Sequence, residues 1–353
     1  MDERMVGRSG VIAALASALL FGLTTPIAKQ LLSGTQPFLI AGLLYLGSGI
    51  GVTLLRLAQD RGWSATGLTR RDWPWVALST LVGGVIAPAL LMTGLARADA
   101  ASAALLLNLE VVFTAALAWV VFGEPAGSRV VWGLVAIFGG GLALVWPTRF
   151  SPGGNLTALL FIVAACFCWA LDNNLTRKIS ASDARILAAI KGLVAGSTNT
   201  AIAFAAGASV PPSSHTLMAL LIGFLGYGLS LVLFIVALRQ LGAARTGAYF
   251  ATAPFIGAVV AMMLYGEPGQ SDFWLAAACM AVGVWLHVTE HHEHEHTHEP
   301  LVHSHAHSHD EHHQHEHDFD WDGNEPHTHE HAHGWLRHSH AHFPDIHHRH
   351  GHG

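Results

Sequence analysis

Apolar runs of 18 or more residues recur along the first 289 or so positions of this 353-residue chain, and no other feature restricts its fold as tightly. In helical form a run of that length covers about 30 Å, the hydrocarbon thickness of a bilayer. Hydrocarbon offers backbone N–H and C=O groups no partner, so a spanning segment satisfies them internally, as an α-helix does. The chain is 52% hydrophobic and only 12% charged, with a mean hydropathy of +0.41, too little charge to cover a soluble core of this size. An all-α integral membrane protein is therefore expected. Ten transmembrane helices are predicted, at about 10–32, 38–58, 73–95, 99–122, 129–147, 156–176, 184–206, 216–238, 243–265 and 272–289. Pro26, Pro88, Pro254 and the glycines 139 to 141 fall inside them, which suits membrane helices packed through small residues. The first run is too long for a signal peptide and no small-residue cleavage site follows it, so it is expected to stay attached.

Basic residues orient the chain. With the N-terminus inside, twelve of them, from Arg4 to Arg245, fall on inner segments, and only Lys29, Arg97 and Arg149 fall on outer ones. An even number of spans returns the chain to its starting side. Both termini are thus expected in the cytosol, with the protein in the plasma (inner) membrane. Three thiols, Cys166, Cys168 and Cys279, lie within predicted spans and read as packing residues, not as a disulfide framework.

From residue 290 the composition changes. Residues 292–317 and 327–352 are two copies of one histidine-rich module, 35 positions apart. The offset sets His303 on His338, His305 on His340, His307 on His342 and His312-His313 on His347-His348, with Leu301 on Leu336. The other histidines with an equivalent are His292, His294, His296, His298, His315 and His317 in the first copy and His327, His329, His331, His333, His350 and His352 in the second, while His309 falls on Pro344. An expression tag would be an unbroken run, whereas these stand in H-x-H steps among Glu and Asp. Neutral imidazole is a good ligand for Zn, Ni, Co and Cu, and histidines two apart on an extended chain share a side, about 7 Å apart. All of them are candidate metal ligands, and a divalent transition metal is the expected bound ion; the membrane part requires no cofactor. The tail cannot form an apolar core and is expected to be disordered without metal. It carries thirteen acidic residues and two arginines, a balance of minus 11, against plus 5 for residues 1–289. With 24 histidines titrating near pH ~6.5, a pH-sensing role is open to it as well.

The membrane part repeats too. Residue 97 onward aligns with residue 240 onward, which sets Gly123-Glu124-Pro125 on Gly266-Glu267-Pro268 at the ends of spans four and nine. A slightly different offset sets Phe21-Gly22-Leu23 on Trp169-Ala170-Leu171, and Lys29 on Arg177, in spans one and six. Each half then holds five spans, an odd number, so the halves enter the membrane in opposite directions, the inverted-repeat signature of secondary transporters. The expected domains are residues 1–147 and 148–289, one five-helix repeat each, and the tail 290–353. The aromatic-Gly/Ala start of spans one and six and the Ala-rich helix ending in Gly-Glu resemble the EamA family of the drug/metabolite transporter superfamily, over residues 8 to about 288. The resemblance implies a ten-helix secondary transporter of a small metabolite or drug with cytosolic termini. It also implies a proline in the fourth helix where this chain has Val111; Pro254 keeps it in the other half.

Ionisable residues in hydrocarbon are expensive, so each marks a partner or a purpose. Glu110, two positions after Asn108 in span four, is the deepest carboxylate and the first candidate for substrate or proton coupling; a hydrogen bond between helices is the alternative. Span six ends in Asp172-Asn173-Asn174, and Lys191 in span seven is placed to pair with Asp172. That cluster reads either as an interfacial salt bridge or as the polar floor of a cavity, with Tyr45, Trp169, Tyr227 and Tyr249 as candidate lining or as ordinary packing. The spans hold no gathered set of metal ligands. The leading expectation is therefore a transporter of a small solute whose tail binds metal to buffer, sense or gate. A Zn, Ni or Co exporter that uses the tail as collector, and a membrane-tethered metal store or sensor without transport, are the alternatives. Expected partners are the substrate or ion and the lipid bilayer, and a homodimer is compatible with the sequence. Nucleic acid is not expected, since the basic residues are scattered over short loops. Nor does any catalytic motif point to an enzyme.

Overall fold

The computed structural model describes residues 3–59, 68–122, 128–146, 156–176, 179, 183–266, 269, 271–289, 293–298, 301–307, 327–333 and 336–341. It divides into two compact units, Met1–Glu290 and His291–Gly353.

The first unit is helical. α1 (Glu3–Leu31) and α2 (Pro37–Gln59) are followed by a segment in three parts: α3 (Trp73–Ser79), a π-helical stretch Thr80–Ile86, and α4 (Ala87–Leu95). The next predicted span is broken into α5 (Ala100–Leu106) and α6 (Leu109–Phe122), and α7 (Ser128–Val145) closes the first half. The second half runs through α8 (Leu156–Thr176), α9 (Ala184–Ala205), α10 (Ser213–Gly223), a π-helical stretch Phe224–Leu229, α11 (Ser230–Phe250), α12 (Ala253–Tyr265) and α13 (Ser271–Val288). Among the described residues eight helices are long and apolar enough to cross a membrane; Ala253–Tyr265 and Ser271–Leu286, where spans nine and ten were predicted, are shorter apolar helices. One boundary differs from expectation. The loop placed near residues 239–242 is helical, because Arg239-Gln240-Leu241 are good helix formers and no proline interrupts them. The break falls instead at Ala251-Thr252, just before Pro254, a residue compatible with the first turn of α12.

The halves interlock. α1 packs on α11 and α12, while α8 packs on α4, α6 and the first π stretch; α2 pairs with α9 and α7 with α13. Lipid gives no hydrophobic drive between helices, so close contact relies on small residues. The α2–α9 crossing shows this, because a Cβ on Gly192 would meet the Gly49 backbone at 2.5 Å. The main apolar core runs through Leu39, Leu91, Met92, Leu105, Ile137, Ile162 and Met280. Large apolar side chains also face outward, with Val120 and Met263 each 78% exposed, a surface that suits lipid and not water.

Polar groups fasten the ends. Lys29 of α1 donates to the carbonyls of Leu95 (2.8 Å), Ala96 (3.3 Å) and Ala98 (2.7 Å), closing the C-terminal end of α4, where a cation also favours the helix dipole. Asp183 caps α9 through the Arg185 N–H (2.9 Å) and pairs with the Arg185 guanidinium (3.2 Å) and with Arg56 of α2 (3.4 Å). Burial opposes the charge on Asp183, but the Arg185 hydrogen bonds and both cations outweigh it and hold the carboxyl below its usual range. A depressed carboxylate contributes stability above its unfolded-state pKa and loses it as pH falls through the lowered value. Asp183→Asn should therefore lower the Tm at pH 7, by an amount worth about 1 kcal/mol, and flatten its acid decline. An equal loss at every pH would remove the ionic account.

The tail was expected to be disordered; its described residues instead form two antiparallel ladders. β1 (Glu293–His298) pairs with β4 (Leu336–Ala341), and β2 (Leu301–His307) with β3 (His327–His333). The H-x-H pattern has the two-residue period of a strand, which is compatible with this pairing. The register sets His294 opposite His340, His296 opposite His338, His303 opposite His331, His305 opposite His329 and His307 opposite His327. The ligand candidates 292, 312, 313, 315, 317, 342, 347, 348, 350 and 352 lie outside the described residues, as do Glu124 and Glu267.

Candidate functional site

Successive residues on a helix point about 100° apart, so the polar run at the end of α8 addresses different neighbours. Asp172 turns to α9 and α3: Lys191 Nζ donates to both carboxylate oxygens at 2.7 Å, Ser79 Oγ donates at 2.5 Å and Thr176 Oγ1 at 3.2 Å. The pair is enclosed, with the Asp172 side chain 9% and that of Lys191 21% exposed. Gly83 and Gly84 of the first π stretch make room for it. A Cβ on Gly83 would collide with the Asp172 carboxylate, and one on Gly84 would press on Ala195 and the Lys191 chain. These contacts tie α3, α8 and α9 together.

Asn173, one residue on, faces α6. Its Nδ2 donates to Glu110 Oε1 at 2.9 Å and reaches Thr114 Oγ1 at 3.4 Å; Asn174 Nδ2 donates to the Thr114 carbonyl at 3.2 Å. Glu110 is half-buried and Asn173 exposed, whereas the neighbouring Asp172 is buried. Glu110 stands in the first turn of α6, after the break at Leu107-Asn108. Asn108 takes no part in the pair. Its Nδ2 donates to the Leu105 carbonyl at 3.0 Å and approaches Met280 Sδ at 3.8 Å.

Three of the four aromatic candidates meet. Tyr45 Oη and Trp169 Nε1 both donate, at 3.0 Å, to the Gly83 carbonyl, and the Tyr45 ring lies 5.4 Å from that of Tyr227, which meets Phe21 edge-on at 5.9 Å. Tyr249 lies apart, against the small cluster of Ala13, Ala14 and Ala237. Sequence reasoning missed Ser79, Thr114, Thr176 and Asn199, whose Nδ2 donates to the Val85 carbonyl at 3.2 Å. Their positions opposite the predicted polar residues emerge only once the helices are packed. Cys166 is buried, and Cys168 and Cys279 are half-buried free thiols. Among the described residues no three His, Cys, Asp or Glu gather into a metal-holding group.

Interlocked helical repeats, an apolar outer face and a polar centre built from both halves define a multi-pass membrane transporter. The EamA-like transporter family matches residues 8–146 and again 156–289, so the chain belongs to that family. It is 28% identical over 292 residues to an uncharacterised transporter of Methanothermobacter thermautotrophicus, covering 78% of this chain and 85% of that one. A second uncharacterised transporter, from Synechocystis sp., is 28% identical over 142 residues, 39% of this chain and 40% of that protein. A solved crystal structure superposes with a TM-score of 0.59 at 17% identity, over 79% of this chain and 95% of the other, which is a likeness of fold.

Proposed function

We propose that the chain is a ten-helix secondary transporter of a small organic solute, of metabolite or drug type, in which Glu110 and Asn173 handle the solute or its coupling proton. The observation that carries this reading is their placement: a carboxylate–amide pair that joins the broken helix of one repeat to α8 of the other (2.9 Å). Secondary transporters build their sites at such discontinuous helices between repeats. Asp172 and Lys191 hold the helices around it. The protein lies in the plasma membrane with both termini cytosolic, and the tail binds a divalent transition metal that buffers, senses or gates. The duplicated module and its histidine-on-histidine register support metal binding. They also favour a second reading, in which Zn, Ni or Co is the cargo and the tail its collector.

The test is a solute screen in proteoliposomes, with and without Zn or Ni, using the full chain and a chain ended at Thr289. Organic-solute flux that survives truncation but loses its metal response supports the leading reading. Metal flux that survives truncation and needs Glu110 would transfer support to the exporter, and absence of any flux would favour a tethered metal store.

A further inference from the structure

The two π-helical stretches are repeat equivalents. The offset that carries Gly123-Glu124-Pro125 onto Gly266-Glu267-Pro268 carries Thr80–Ile86 onto residues 223–229, within one residue of Phe224–Leu229, and Gly83 onto Gly226. π turns are rare in helices, lie frequently at functional sites and are a recognised cause of kinks. The two are held very differently. In the first, the Gly83 carbonyl accepts from Tyr45 and Trp169 at 3.0 Å each, Asn199 donates to Val85 at 3.2 Å, and the Asp172–Lys191 clamp closes on the Gly83-Gly84 backbone. In the second, the offset that sets Trp169 on Phe21 leaves a ring with no N–H to donate, and it sets Asp172 on Thr24. Thr24 packs against Gly226 but donates its hydroxyl to Leu20 of its own helix at 3.1 Å. Among the described residues packing contacts, and not polar ones, are what meet that turn: the Tyr227 ring on those of Tyr45 and Phe21, the Phe224 ring on Gly51, and Val52 on Gly228.

The next polar tie lies beyond it. Ser17 and Ser230 exchange hydrogen bonds at 2.7 and 3.0 Å and fix the start of α11 to α1. On the other side of the turn, α10 rests on α2 through Gly47 and Gly223, each in close approach to the opposing backbone. We infer that Tyr45 and Trp169 are positioning residues that pin the α3–α4 hinge, so that α10, turning about Phe224–Leu229 and sliding on α2, is the element that moves in the transport cycle. Hinge and shear of this kind require a few permissive residues at the pivot and a smooth sliding face.

Pulsed electron-electron distance measurements on spin-labelled full-length protein in lipid test this without a known substrate. Trp75 and Met218 are repeat equivalents at exposed positions on α3 and α10, as are Trp132 and Leu275 on α7 and α13. In a background with Cys166, Cys168 and Cys279 replaced, the Met218–Trp132 pair should give a broad or two-peaked distribution and the Trp75–Leu275 pair a single narrow one. Trp169→Phe with Tyr45→Phe should broaden Trp75–Leu275 and leave Met218–Trp132 as it was, which also reports that the variant is folded; Trp169→Phe alone should give a smaller change of the same kind. Equal widths in the unsubstituted chain, or a Trp75–Leu275 distribution unmoved by both variants, would overturn the inference.

Discussion

Lys191→Met is expected to destabilise the membrane unit by about 3 kcal/mol, more than any other single side-chain change considered. The methionine keeps most of the packing volume but leaves the Asp172 carboxylate, whose side chain is 9% exposed, facing only the hydroxyls of Ser79 and Thr176. An uncompensated charge in a low-dielectric site is the costly case, whereas removal of both charges is often close to neutral. The double variant Lys191→Met with Asp172→Asn should accordingly recover most of the loss, because asparagine remains an acceptor for Ser79 and buries no charge. Thermal unfolding in detergent or lipid discs measures all three proteins. A single variant that loses under about 1 kcal/mol would put the pair in the class of surface ion pairs and remove the clamp. A double variant as poor as the single would say that geometry, not charge, is what α3, α8 and α9 need.

Much of this fold can be read from the chain before it is folded. Apolar run length places the helices, and internal likeness finds the repeats that the packing of α1 on α11 and α12, and of α8 on α4 and α6, then interlocks. What the sequence could not give was direction around each helix. Asp172 and Asn173 look alike as neighbours in a polar run, yet the first is sealed against Lys191 and the second opens toward Glu110. That difference comes from the crossing of three helices and is invisible to spacing. The break in the fourth span was hidden for another reason. The proline implied by the family resemblance is replaced by Val111, but the helix is interrupted all the same, at Leu107-Asn108. Asn108 spends its side-chain N–H on the Leu105 carbonyl, and the Glu110 and Val111 N–H groups reach back only three residues, to Leu107 and Asn108. A local side-chain hydrogen bond competes with the helix ladder here, so two halves reach the same irregularity by different chemistry. The π stretches left a fainter mark. Gly83-Gly84 and Gly226-x-Gly228 lie at matching places, but glycine is common in membrane helices and does not by itself signal a wide turn.

Glu110→Gln separates function from folding more cleanly than any other substitution in this chain. Glutamine is nearly isosteric, and its side-chain oxygen can still accept the Asn173 N–H that Glu110 now takes at 2.9 Å, so the helix contact survives. The loss is confined to the ability to bind and release a proton or to present a negative charge. On the proposed reading, solute flux driven by a pH gradient should fall roughly 100-fold, in line with removal of a proton-transferring group elsewhere, while the Tm moves little. Asn173→Ala should act differently. It leaves the carboxyl chemistry intact but removes the amide that orients it, so flux should fall by a smaller factor and shift its pH dependence. If Glu110→Gln instead unfolds the protein and leaves the flux of the surviving fraction unchanged, Glu110 is a structural bond between α6 and α8, and the solute path must be sought along the other face of α8, beside Tyr45 and Tyr227.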